Sequence, residues 1–174
     1  MVRPTTDRVK EALFNIIGPY VSGKRFLDLF AGSGGVGIEA LSRGAAYAAF
    51  VDIDSRSIVS ITQNLERAGF GSEVFNVYKG KVDDILRVMA GQGEKFDYIF
   101  MDPPYGHDLI GSTLLGIGKA SIVAEGGKVI VEHRRDDSVP SSAGGLLLDS
   151  SRRYGDTILS FYGLMAEEQG NEMN

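Results

Sequence analysis

Residues 96–105 read Phe-Asp-Tyr-Ile-Phe-Met-Asp-Pro-Pro-Tyr. Phe96, Tyr98, Ile99, Phe100 and Met101 are apolar or aromatic and β-forming, the composition of a strand buried on both faces of a parallel sheet. The run then meets Pro103 and Pro104. Neither has an N–H for a ladder, so the strand stops at Asp102. In an open α/β sheet the carboxyl end of a strand is where ligands bind.

The tetrapeptide Asp102-Pro103-Pro104-Tyr105 offers a ligand two acceptors and a flat face. The Asp102 carboxylate and the Pro103 carbonyl accept hydrogen bonds, and the fixed φ of both prolines aims them. Tyr105 can stack on a ring. Such a set suits a planar group bearing an NH2. An ordinary strand-ending turn with a half-buried Tyr is the plainer reading of Pro-Pro alone. The hydrophobic strand in front of Asp102 favours the functional one.

The chain has 174 residues, 43% of them hydrophobic. That suits one domain with one core. We read residues 1–165 as that domain and 166–174 as a disordered acidic tail. No apolar run approaches membrane-spanning length and no secretory leader is evident, so a cytoplasmic protein is expected. With no Cys there is no disulfide, no thiolate zinc site and no cysteine nucleophile. Only His107 and His133 are present, and no metal site is expected. The net charge is −5. The tail holds three Glu and no base, leaving −2 for the rest. Nucleic-acid binders are usually basic, so a strong autonomous grip on RNA or DNA is not expected. Basic clusters remain at Arg3/Arg8/Lys10, Lys24/Arg25, Lys79/Lys81, Arg134/Arg135 and Arg152/Arg153, and solvated surface is the plain reading of each.

Taken in order, strands alternate with helices. Thr6 or Asp7 caps a helix over Asp7–Ile17, with Val9, Ala12, Leu13, Ile16 and Ile17 on one face. Strands follow at Phe26–Phe30, Ala45–Val51, Glu73–Tyr78, Phe96–Met101 and Lys128–Glu132. Helices are expected at Val36–Arg43, Ser57–Ala68, Val82–Ala90 and Asp108–Val123. Leu146–Arg153 and Thr157–Leu164 flank Tyr154-Gly155-Asp156 as a β-hairpin. Between them Asp136–Gly145 reads as a polar loop. The alternation implies an α/β protein with a mostly parallel sheet and helices on both faces, closed by an antiparallel hairpin.

After the first strand comes Asp28-Leu29-Phe30-Ala31-Gly32-Ser33-Gly34-Gly35-Val36-Gly37. Gly32, Gly34 and Gly37 fit the dinucleotide pattern G-x-G-x-x-G, and Asp52 lies twenty residues after Gly32. On those features alone an NAD-dependent oxidoreductase is a fair reading. Two features oppose it. A buried Asp28 would repel a pyrophosphate but attract an ammonium or sulfonium. D-P-P-Y has no role in hydride transfer. S-adenosyl-L-methionine (SAM) carries both cations and no phosphate. Asp52 would accept from its ribose hydroxyls, and Ile53 could lie against its adenine. A helix-capping role for Asp52 is less favoured, because Asp54 and Ser55 already supply a cap.

The glycine loop and D-P-P-Y resemble those of the class I SAM-dependent methyltransferases that act on exocyclic amines, with their Rossmann-like fold and seven-stranded sheet. The start Arg3-Pro4-Thr5-Thr6-Asp7-Arg8-Val9-Lys10-Glu11-Ala12-Leu13-Phe14-Asn15, the run DLFAGSGGVGIEALSRGA and the hairpin RRYGDTILSFY are together similar to the RsmD family. The resemblance covers Arg3 to Tyr162. It implies methylation of a guanine N2 in 16S rRNA of the bacterial small ribosomal subunit, with S-adenosyl-L-homocysteine as the other product. Carried over, it implies that Asp28, Phe30, Ala31, Gly32, Ser33 and Gly34 hold the methionine part, with Thr5, Thr6 and Arg8 near that end. Asp52 and Ile53 would hold the ribose and adenine. Asp102, Pro103, Pro104 and Tyr105 would hold the guanine. The expected form is a monomer.

Two departures stand out. Family members commonly carry an acidic or amide side chain where this chain has Lys81, and a Lys cannot accept a hydrogen bond. Backbone groups at Lys81 and Val82 are then left to read the adenine. A basic segment usually precedes R-P-T, and this sequence begins there, implying a shortened start or less RNA-binding surface. The alternatives are an N6-adenine DNA methyltransferase, for which no target-recognition domain is evident, and a non-catalytic SAM-binding subunit, against which the intact D-P-P-Y argues.

Overall fold

The structure, a computed structural model, describes residues 4–105 and 108–166, with side chains from Asp7 onward. The expected acidic tail therefore lies outside the described residues apart from its first position. The elements run α1 (Pro4–Ile17), β1 (Arg25–Leu29), α2 (Gly35–Ser42), β2 (Tyr47–Asp52), α3 (Ser55–Ala68), β3 (Phe75–Lys79) and α4 (Val82–Gly91). They continue with β4 (Phe96–Met101), α5 (Leu109–Ala120), β5 (Val123–Arg134), β6 (Ser142–Ala143), β7 (Leu146–Tyr154) and β8 (Thr157–Leu164).

One sheet holds all eight strands in the order β3-β2-β1-β4-β5-β8-β7-β6. β1 to β5 are parallel, and β8 enters antiparallel beside β5. Chain order reverses between β1 and β4. That reversal opens a crevice at the carboxyl ends of the two strands, the place where such sheets bind ligands. Phe26, Phe50, Phe100 and Ile130 cover one face with Leu13 and Phe14 of α1 and Ile61 and Leu65 of α3. Leu27, Val51, Ile99, Met101 and Val131 cover the other with Leu86 of α4 and Leu114 and Ile117 of α5. The central strands are apolar on both faces because both faces are roofed by helices.

Several boundaries differ from the sequence reading. Among the described residues the sheet has eight strands rather than seven. The extra one, β6, is two residues of the expected polar loop, and it pairs with Leu146 and Leu147. α1 begins at Pro4, three residues before Asp7. A proline suits a first turn, whose N–H groups have no helical partner. α5 ends at Ala120, where Ser121 turns left-handed (φ 53°). β5 begins at Val123 instead of Lys128. Val123 pairs with Phe96, and the register then slips at the Gly126-Gly127 irregularity before Lys128 pairs with Tyr98. The Tyr162 hydroxyl donates to the Pro140 carbonyl at 2.6 Å, fastening the loop that follows β5 to β8. Among the described residues no helix is long and apolar enough to cross a membrane.

Candidate active site

Four acidic side chains end four neighbouring strands: Asp28 within β1, Asp52 closing β2, Asp102 just past β4, and Glu132 near the end of β5. Register brings them to one edge. Asp28 pairs with Phe50 and Phe100, and Met101 pairs with Val131, so Asp102 and Glu132 are the next residues along adjacent strands.

Asp28 is 2% exposed. Its Oδ2 accepts the Gly37 N–H at 3.0 Å, tying β1 to the first turn of α2. The Asp28 carboxyl is raised to about 8 in all, with burial the largest cause. The Gly37 N–H pulls it down, while the charges of Asp102 and Asp52 push it further up. The loop between β1 and α2 turns on Phe30 (φ 55°), Gly32 (φ 57°) and Gly34 (φ 81°), a left-handed backbone that the two glycines take without strain and that is strained at Phe30. At Gly37 the requirement is space, since a Cβ would overlap the Phe50 ring.

Asp52 is held by two backbone donors. Its Oδ2 accepts from Gly32 N–H and its Oδ1 from Asp54 N–H, both at 2.9 Å. The α3 cap is Asp54, which accepts from Arg56 N–H at 2.8 Å. Asp52 is therefore free of capping duty, as its sequence context suggested. Asn64 of α3 donates to the Ser33 carbonyl at 2.9 Å and steadies the same loop. Ala31 donates to Val51 O at 3.0 Å. Ile53 is 62% exposed just beyond. Lys81 is the exposed residue before α4 and makes no side-chain cap. The Val82 side chain belongs to the core, so only its backbone faces outward ligands. Arg8 is exposed on α1. Thr5 and Thr6 lie in α1, and their side chains lie outside the described residues.

Asp102, Pro103, Pro104 and Tyr105 line a cleft of about 510 Å³. Its other walls include Val9, Glu132, Arg134 and Asp137. Tyr105 is 73% exposed, and the Arg134 guanidinium lies over its ring at 5.7 Å from the centroid. Asp28, Asp52, Ile53, Lys81 and Val82 do not line this cleft. The D-P-P-Y residues thus gather in one hollow, and the glycine loop with Asp28 and Asp52 forms a separate hydrogen-bonded unit beside it. The pairing of β1 with β4 sets the two side by side, and the charge of Asp102 acts on Asp28.

Two cleft features escaped the sequence reading. Glu132 stands beside Asp102 at the end of the neighbouring strand, and burial and that neighbour raise its carboxyl. The signal was present: Val129-Ile130-Val131-Glu132 is an apolar strand ending in a carboxylate, the pattern already used for Asp52 and Asp102. In the sequence Arg134 is one of a basic pair and a candidate phosphate contact; its place over the Tyr105 ring joins positions twenty-nine apart. Among the described residues no group of three or more His, Cys, Asp or Glu could hold a metal ion.

The family model described as Conserved hypothetical protein 95 matches residues 1–163. The chain belongs to this family, the RsmD family. It is 41% identical over 160 residues to "Putative rRNA methyltransferase YlbH" of Bacillus subtilis, covering 92% of this chain and 86% of that protein. It is 31% identical over 170 residues to ribosomal RNA small subunit methyltransferase D of Escherichia coli, covering 97% and 82%. The solved structure of "Putative methyltransferase yhhF" from E. coli superposes with a TM-score of 0.82 at 30% identity, over 95% of this chain and 89% of that one. A methyltransferase complexed with SAH, SMU.776, shares the fold at a TM-score of 0.73 and 16% identity, over 93% of this chain and 50% of that one. The α/β methyltransferase fold expected for an RsmD member is the fold observed, with the C-terminal antiparallel hairpin in place.

Proposed function

We propose that this RsmD-family protein is a SAM-dependent rRNA methyltransferase. Its substrate is the exocyclic N2 amine of a guanine in 16S rRNA, met within a small-subunit particle. The observation that carries this is the cleft: the Asp102 carboxylate, the Pro103-Pro104 turn and the exposed Tyr105 ring share one hollow beside the glycine loop. The names of the relatives support rRNA as the substrate class. The guanine N2 specificity rests on the family resemblance.

The residues present fit SAM. Asp28 is a buried carboxylate with one backbone donor, and a cation beside it would restore its charge. Nothing lies within 4 Å of a Cβ built on Gly32, so the loop leaves open space there. In this reading Asp28 and Phe30–Gly34 face the methionine part, with Thr5, Thr6 and Arg8 toward that end. Asp52 holds the ribose with its remaining lone pairs. Ile53 covers the adenine, and the Lys81 and Val82 backbone reads its edge. SAM supplies an electrophilic methyl group that leaves a neutral thioether behind.

The guanine amine is a poor nucleophile, because its lone pair is delocalised into the ring. Asp102 and the Pro103 carbonyl accept from its two N–H groups and favour a pyramidal nitrogen whose lone pair faces the methyl. As the N–C bond forms, the nitrogen sheds one proton, and Asp102 is the acceptor at hand. Orientation of this kind contributes roughly 7–11 kcal/mol to such a reaction. The base must leave its stack to enter the cleft, and Tyr105 receives it.

A chain near −2 outside its tail releases few counterions on RNA and binds it weakly alone. A structured particle presents the guanine already exposed. Arg134 and Arg135 are candidates for phosphate contacts, as are Arg3 and Arg8. The protein would work as a cytoplasmic monomer built of one domain over 1–165.

The test is labelled SAM with naked 16S rRNA and, separately, with undermethylated small subunits. Faster labelling of the subunits with N2-methylguanosine as product is expected. Faster labelling of naked RNA, or N6-methyladenosine as product, would overturn this reading.

A further inference from the structure

Glu132 has no part in the reading so far, yet it is the acidic side chain next to Asp102 in register. The two follow the paired residues Met101 and Val131 on adjacent parallel strands. They sit in line with Phe100 and Ile130, on the sheet face that α1 covers, and both line the cleft. Neighbouring strands lie about 4.8 Å apart, so the two carboxyls stand side by side at the strand ends. Two carboxylates held side by side in a half-buried cleft repel each other, and a single proton between them relieves that repulsion.

We propose that Glu132 is a positioning residue. Its protonated carboxyl donates to Asp102 and holds that carboxylate toward the amine to be methylated. The inference rests on reading the cleft as an amine-methylating site.

The surroundings determine which partner carries the proton. Glu132 is the deeper of the two, while Asp102 is exposed. Burial is the first cause raising Glu132, followed by its neighbour Asp102 and the charge of Asp28. Asp108, Asp136 and Asp137 add negative charge around the same cleft. Arg134, the cation on this wall, is turned over Tyr105. His133 follows on β5, but its ring is engaged with Ser160 Oγ at 2.7 Å and Arg134 O at 2.9 Å. Glu132 is therefore the member of the pair that holds the proton, which leaves Asp102 as the acceptor. A lone Asp102 side chain would sample several rotamers. A donor on the neighbouring strand selects one, and that alignment is what the reaction requires.

Glu132→Ala removes the donor, and Glu132→Gln keeps one that no longer titrates. The first measurement needs no cofactor: carboxyl 13C NMR of Glu-labelled protein, with the Glu132 signal assigned by its loss in Glu132→Gln. Titration above neutrality, moving down in Asp102→Asn, is expected. Titration in the ordinary Glu range near ~4.3 would overturn the pairing. The second is methyl transfer across pH. For wild type, turnover should fall as pH rises through the Glu132 titration, since the donor is lost. Glu132→Ala should lower kcat at least tenfold at neutral pH with SAM affinity within twofold of wild type. Glu132→Gln should lose less and show no alkaline decline. An alanine variant that turns over like wild type, or a glutamine variant with the same alkaline decline, would overturn the proposal. A wild-type protein that methylates neither RNA nor subunits would overturn the functional reading instead, and the titration would still decide whether the pair exists.

Discussion

Asp52 and Gly32 are joined across the tips of β2 and β1: the Asp52 Oδ2 accepts the Gly32 N–H at 2.9 Å. A second donor, Asp54 N–H, occupies Oδ1. The carboxylate is thereby pre-aimed, and the glycine loop is anchored to the strand beside it. Both groups are acceptor and donor in one unit, so a change at Asp52 reaches the loop as well.

Asp52→Ala should therefore weaken SAM binding by more than one contact. Hydrogen bonds to charged groups contribute about 1.5–3 kcal/mol. A loss of at least tenfold in affinity is expected by calorimetry. Unchanged affinity would remove Asp52 from the cofactor site.

Asp28 should couple SAM binding to pH. Its carboxyl is raised to about 8, and a bound cation draws it down. Binding near neutrality should then release a proton, visible as calorimetric heats that depend on the buffer, and affinity should rise with pH toward and beyond 8. Asp28→Asn should abolish that proton release.

The same carboxyl sets a stability trend without cofactor. A folded value raised from the ordinary ~3.9 means that the folded state binds more protons than the unfolded one between about pH 4 and 8. This group's contribution to stability is greatest at the acid end and falls as pH rises through that window. Melting temperatures of wild type and Asp28→Asn should diverge, the variant gaining on wild type between pH 5 and pH 8.5. Parallel curves would contradict an Asp28 carboxyl raised by burial.

Asp102→Ala should abolish methyl transfer and leave SAM binding intact. Tyr105→Ala acts differently, because its exposed ring receives the base. Stacking contributes roughly 1–3 kcal/mol per base, so the loss should appear in KM for the subunit rather than in kcat. Near wild-type turnover by Asp102→Ala would refute the orienting role.

Gly37→Ala probes the packing beneath the site. The added methyl overlaps the Phe50 ring, and α2 must move off β2. Overpacking of this kind costs about 1–3 kcal/mol. In a chain of this size that lowers Tm by roughly 2–4 °C per kcal/mol. Phe50→Leu in the same chain should recover part of it. An unchanged melting temperature would show that the core relaxes freely there.

Much of this site was legible because its residues lie next to one another in the chain. Asp28 leads directly into Phe30–Gly34, and Asp102 directly precedes Pro103-Pro104-Tyr105. Local chemistry determines such features: apolar β-forming runs make the strands, prolines stop them, and glycines permit left-handed turns. The strand–helix alternation set the fold class in the same way. Glu132, the Arg134 stack on Tyr105 and the two-residue strand β6 depended on tertiary structure. Each joins a residue to a partner far off in sequence, and only the placement of β4 beside β5 brings Glu132 to Asp102. The raised carboxyls have the same origin. A side chain's composition gives its ordinary titration, but its burial and its neighbours' charges exist only once the sheet has assembled.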